Sequence, residues 1–85
     1  MSESDYQSKI IREYTKKGWM VIKLIQTNMN GIPDLLLMKY GEQPFFIEVK
    51  AANGKLAPLQ AYRIQEILEK TGYETHVLYE TTTDK

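Results

Sequence analysis

The stretch DLLLMKYGEQPFFIEVK, Asp34 to Lys50, carries two apolar runs on either side of a short polar turn. Leu35 to Met38 is nearly continuous and apolar, the pattern of a central strand buried on both faces. Phe45 to Lys50 is aromatic and β-branched and reads as a second strand. Tyr40 to Pro44 supplies the turn, and two such runs with so short a loop make a hairpin. In a hairpin the start of one strand lies beside the end of the other. Asp34 therefore falls close to Glu48 and Lys50, at one edge of a sheet.

The flanking sequence completes an α/β pattern. Upstream, Pro33 pushes Ile32 into an extended conformation, and Gln26 to Gly31 (QTNMNG) is polar and turn-rich. Trp19 to Ile25 is apolar and β-branched apart from Lys23 and reads as a strand. Before it, Tyr6, Ile10, Ile11 and Tyr14 recur at helical spacing, which predicts a helix from about Ser4 to Lys17. Ser2 with Asp5 and Ser4 with Gln7 both fit a capping box at its start. Gly18 ends it, with Lys16 and Lys17 in the last turn, where cations suit the helix dipole.

Downstream, Ala51 to Ala57 is a loop, with Asn53-Gly54 as its turn signal. Pro58 sits where a helix can begin. The helix runs to about Lys70, with Ala61, Ile64, Ile67 and Leu68 as its buried face and Gly72 as its cap. Tyr73 to Tyr79 is a last strand, and Glu80 to Lys85 a frayed tail. The order is α-β-β-β-α-β: a mixed sheet flanked by helices. The segment from the third strand to the fourth has the length of a crossover unit.

At 85 residues the chain is one domain, 1–85, with a thin core. A chain of this size buries only about 60% of its unfolded surface, so a second copy is a natural source of further buried area. There is no cysteine, hence no disulfide framework and no thiolate metal site, which suits a reducing interior. No apolar run approaches the roughly 18 residues of a membrane span, and the polar, acidic start is unlike a signal peptide. Eleven basic residues balance eleven acidic ones. By sum alone that disfavours nucleic acid as a partner. Carboxylates gathered at one site would cancel basic residues elsewhere, however, so the distribution of charge matters more than the sum.

Glu48 and Lys50 are one residue apart on a strand, so both point to one face and Val49 to the other. Two charges at the end of an apolar strand must find partners, a metal or water. Such a Glu-x-Lys pair on a strand is usually only a surface ion pair, worth about 0–1 kcal/mol. The combination with Asp34 is the stronger signal. Two carboxylates offer hard oxygen ligands for magnesium or manganese, and the main-chain carbonyl of Val49 can add another. Lys50 then orients or deprotonates a water, or stabilises charge developing on a phosphate; the positioning and electrostatic role is favoured, because a metal already lowers the water's pKa.

Gly31-Ile32-Pro33-Asp34, Phe46-Ile47-Glu48-Val49-Lys50 and Leu56-Ala57-Pro58-Leu59-Gln60 resemble the PD-(D/E)XK nuclease superfamily. More narrowly they resemble the virus-type replication-repair nuclease (VRR-NUC) domain, and Glu3-Ser4-Asp5-Tyr6-Gln7 is similar to that family's opening helix. The resemblance runs from about Glu3 to Tyr79. It implies a restriction-endonuclease-like α-β-β-β-α-β core and hydrolysis of phosphodiester bonds with magnesium or manganese. By position, Asp34 and Glu48 would hold metal and Lys50 would be the catalytic lysine. Glu3 would approach from the first helix and Gln60 from the second. It further implies branched or junction DNA as substrate, a homodimer, and a cytoplasmic setting in a bacterium or a phage-infected host, with DNA repair as the context. One departure is Ala57, where Ser or Thr often opens the second helix; the lost capping oxygen is typically worth about 1 kcal/mol.

Around this centre, Arg63 shares a helix face with Gln60. Arg63, Lys55 and Lys23 are candidate DNA contacts, and Lys9, Arg12 and Lys16 could also meet phosphates, which position a duplex without reading its sequence. His76 has no second histidine for a metal site and reads as structural or exposed. Trp19 and the six tyrosines read as core or dimer interface more readily than as base-stacking platforms. The rival reading is a catalytically silent DNA-binding or replication-partner module on the same fold. Against it, none of the three central charges is missing. A third reading takes the motif as an accidental ion pair on a structural domain.

Overall fold

The computed structural model describes residues 2–80. The elements follow the expected order: α1 (Glu3–Lys16), β1 (Met20–Lys23), β2 (Leu35–Met38), β3 (Phe45–Lys50), α2 (Pro58–Thr71) and β4 (Thr75–Tyr79). They form a four-stranded sheet in the order β1-β2-β3-β4. The first two pairings are antiparallel, and β3 pairs with β4 in parallel across the α2 crossover. The tail expected from Glu80 lies outside the described residues beyond 80.

Of the two possible starts for α1, the chain uses the earlier. The Ser2 hydroxyl accepts from the Asp5 N–H, and the Asp5 carboxylate accepts from the Ser2 N–H. Starting at Glu3 sets Ile10 on the inner face, where it is buried with Leu35, Leu37, Ile47 and Val49. The four strand residues are fully removed from water, each contributing about 1.5–3 kcal/mol. Tyr14, Trp19 and Phe45 close the far end of this core edge to face, with Trp19 and Phe45 centroids 5.1 Å apart. Trp19 thus packs as core rather than extending β1.

Three expectations need correction. The first strand is shorter than Trp19–Ile25, because Trp19 lies before the ladder and the chain leaves the sheet after Leu24, with Ile25 80% exposed. The second strand is not buried equally on both faces: Leu35 and Leu37 are covered by α1, but Leu36 and Met38 are only half-buried. The cause lies in the third correction. No α2 residue is buried; Ile64 and Ile67 are half-covered, while Ala61 and Leu68 of the expected buried face are exposed. The sheet face on the α2 side ends in charged groups, so the helix meets the chain through polar contacts rather than through a continuous apolar stripe.

Candidate active site

The hairpin register pairs Leu35 with Ile47, and its next step along the strands brings Asp34 to Glu48 and Val49. Asp34 lies one residue before β2, where the paired ladder ends. Its carboxylate extends the pairing: Oδ2 accepts from the Val49 N–H at 2.9 Å. Its own carbonyl accepts from the Leu24 N–H at 2.8 Å. Asp34 is therefore held from two sides, and Oδ1 lies outside the Val49 bond. The N–H and C=O of one strand residue point the same way. The Val49 carbonyl thus lies on the Asp34 side, while Lys50 faces β4 and accepts from the Glu80 N–H.

Val49 turns its side chain into the core, and Glu48 and Lys50 emerge on the opposite face, as alternation requires. Glu48 is 2% exposed. Its Oε2 receives the Lys50 ammonium at 3.5 Å and the Gln60 Nε2–H at 3.0 Å. Its Oε1 is buried with no hydrogen-bond partner. Burial, then the negative charge of Asp34, push the Glu48 carboxyl up to about 7, against the opposing pull of Lys50.

Gln60 has two tasks. Its Oε1 accepts from the Ala57 N–H at 2.9 Å, closing the return half of a capping box. The lost hydroxyl at Ala57 therefore leaves only one side of that box unmade. Its Nε2 reaches Glu48. The same amide that starts the helix thus fixes the buried carboxylate.

This arrangement fits a hard divalent cation. An orphaned buried carboxylate oxygen costs about 1–3 kcal/mol or more if left unpaired. Two carboxylates that repel one another raise the cost further. A cation held by Asp34 and Glu48 would remove both penalties with oxygen donors of the right kind. Asp34, Glu48 and the Val49 carbonyl are the residues that could hold it.

Among the described residues, the other candidates share no hydrogen bond or ion pair with this centre. Glu3 is exposed in the first turn of α1. Tyr14 lies over Phe45 at the far end of the sheet, so α1 runs with Glu3 toward the Asp34 end. Among the described residues, Glu3 shares no hydrogen bond or ion pair with Asp34, Glu48 or Lys50. Lys23 is exposed at the end of β1, opposite Leu35, and Lys55 is exposed in the loop before α2. Lys9, Arg12 and Lys16 are exposed on α1. His76 is half-exposed, tilted on Phe45 at 4.9 Å and 3.5 Å from the Glu74 carboxylate, as a structural histidine would be.

Arg63 faces the protein rather than solvent. Its Nε donates to the Asn30 carbonyl at 2.8 Å, and its Nη1 meets the Glu66 carboxylate at 3.0 Å. Sequence reasoning missed this contact across 33 residues. The Asn-Gly pair at 30–31 was the available signal, since it marks a turn that some other element must approach closely.

A family model described as the VRR-NUC domain matches residues 1–81. No curated protein matches the chain.

Proposed function

Since the chain belongs to the VRR-NUC domain family, a nuclease family, we propose that it is a divalent-metal-dependent DNA endonuclease. In this reading it selects branched DNA such as four-way junctions and works as a homodimer in the cytoplasm of a bacterium or phage-infected cell. The observation that carries the metal-dependent reading is the Glu48 carboxylate, buried beside Asp34 with Oε1 unpartnered.

The chain's own groups divide the work. Asp34 and Glu48, with the Val49 carbonyl, hold the magnesium or manganese ion. When bound, that ion supplies charge for the phosphate and lowers the pKa of a coordinated water. Gln60 keeps Glu48 turned toward Asp34 through its 3.0 Å bond. Lys50, only 13% exposed, brings a positive charge beside the carboxylates. Its ammonium can swing from Glu48 to the scissile phosphate and stabilise the charge that builds there. Lys23 and Lys55 are the exposed cations assigned to flanking phosphates.

The dimer rests on a different observation. Met20, Leu59, Tyr62 and Leu68 are all more than 40% exposed on a chain with few fully buried residues. A second copy would cover such surface, and a symmetric pair would present two sites for paired cuts in a branched substrate. Junction preference rests on analogy with the family rather than on any side chain.

The test is cleavage of labelled four-way junction, flap and linear duplex DNA, with magnesium, manganese or chelator. Asp34→Ala and Lys50→Ala run alongside. Metal-dependent cutting that both variants lose supports the nuclease, and the ranking of substrates decides the junction preference. Binding without cutting by the folded protein would replace it with the silent DNA-binding module.

A further inference from the structure

The loop that delivers Asp34 and the helix that delivers Gln60 meet at one small contact. Arg63, one turn after Gln60, donates its Nε–H to the Asn30 carbonyl at 2.8 Å. Next in the loop is Gly31, at φ +82°, where a Cβ would lie 2.7 Å from Leu59 Cγ, 3.1 Å from the Leu59 carbonyl and 3.2 Å from Arg63 Cγ. Only glycine allows both that backbone angle and that approach. Three residues on stands Asp34, with buried Pro33 between.

The guanidinium is also braced on its own helix. Nη1 pairs with Glu66, whose second oxygen pairs with Lys70 at 3.2 Å. The hydrogen bond from Lys70, then that from Arg63, hold the Glu66 carboxyl below its ordinary range, so it stays ionised at neutral pH. The Arg63 side chain is 19% exposed. A residue reaching for a DNA phosphate would present its fork to solvent; this one has turned it inward onto a carbonyl and a carboxylate.

No residue of α2 is buried. Its apolar seat is thin, with only Ile64 and Ile67 half-covered, where a broad stripe normally fixes a helix on a sheet, so polar contacts at its start help set its position. We propose that Arg63 is a positioning residue: by clamping α2 to the Asn30–Gly31 turn it holds Gln60 against Glu48 and keeps the two carboxylates of the site in register. This rests on the nuclease reading above for its catalytic consequence, but not for its structural one. It replaces the expectation that Arg63 contacts DNA.

Arginine is required because one planar group must donate to a main-chain carbonyl and a carboxylate together. Lysine keeps the charge and loses the fork. A phosphate contact tolerates that exchange; a clamp does not.

The experiment compares Arg63→Lys and Arg63→Ala with the wild-type chain in three readouts. The first is the side-chain amide signal of Gln60 by NMR in chelator, which needs neither metal nor activity. The second is Mn2+ affinity by calorimetry. The third is steady-state cleavage of branched DNA, with DNA affinity measured against salt in chelator. A clamp predicts that Arg63→Lys shifts the Gln60 signal toward that of a free amide. It also predicts a fall of about 10–100-fold in Mn2+ affinity or kcat, with KM and the salt dependence of DNA binding unchanged. Arg63→Lys behaving as wild type in the Gln60 signal would overturn the proposal. So would loss of DNA affinity in Arg63→Ala with a salt slope lower by about one, the mark of a phosphate contact. If Arg63→Ala fails to fold, the lysine variant decides. If the wild type neither binds Mn2+ nor cuts, the nuclease reading falls, and the Gln60 signal still decides the clamp.

Discussion

Gln60 Nε2 donates to Glu48 Oε2 at 3.0 Å, while Glu48 Oε1, on the same carboxylate, is buried with no partner. One oxygen is held by the helix and the other has no hydrogen-bond partner in the chain, which is why the proposed metal is assigned to it. Removing the holding bond should therefore affect the metal more than the fold. Gln60→Ala is expected to lower Mn2+ affinity by about 10–100-fold, as the loss of an outer-shell partner generally does. Calorimetry on the folded variant measures it, and unchanged affinity would show that Lys50 alone orients Glu48.

Lys50 offsets the charge of Glu48 at 3.5 Å. Lys50→Ala should lower the cleavage rate by about 10²–10⁴-fold, the range for a positioned catalytic group. Single-turnover cleavage checks this, with Mn2+ affinity retained. A loss confined to DNA binding would instead make Lys50 a phosphate contact.

Glu48 links stability to pH. Its carboxyl titrates at about 7 in the folded protein against 4.5 ordinarily, through burial first and Asp34 second. Between those values the folded state binds more protons than the unfolded, so stability falls as pH rises through the window. Below about 4.5 both states are protonated and the contribution is intact; above about 7 both are ionised and it is lost. Urea melts in chelator should show a lower midpoint at pH 8 than at pH 5. Glu48→Gln should flatten that trend, and saturating Mn2+ should reverse it. A Glu48→Gln trend as steep as wild type would assign the dependence to other groups.

Gly31 meets both a backbone and a packing constraint, with φ +82° and only 2.7 Å to Leu59 Cγ. Gly31→Ala should destabilise by about 1–3 kcal/mol through left-handed strain and overpacking. In a domain of this size each kcal/mol lowers Tm by about 4–8 °C. A Tm within a degree of wild type would mean that the turn relaxes away from α2.

The two faces of the sheet should respond differently to truncation. Ile47 is fully buried against α1, whereas Leu68 on α2 is 43% exposed. Ile47→Ala is expected to cost about 2–5 kcal/mol, and Leu68→Ala about 0.5 kcal/mol or less, as for most surface changes. Denaturant melts at low protein concentration measure the monomer. A large effect at Leu68 that appears only at high concentration would place it in the dimer contact.

Much of this molecule was legible in its residues. Alternation alone put Val49 on one face and Glu48 with Lys50 on the other, because successive strand side chains point oppositely whatever else the chain does. Hairpin arithmetic brought Asp34 to them, because a short loop leaves only one way for two strands to pair. These are local rules, and Asp34, Glu48 and Lys50 follow from them. Tertiary structure decided what no period carries. It left Ala61 and Leu68 exposed, since an apolar helical stripe predicts burial only where something lies beneath it. It turned Arg63 onto the Asn30 carbonyl, a partner 33 residues away. It also raised Glu48 to about 7, because desolvation and the Asp34 charge act through space and exist only once the chain has folded.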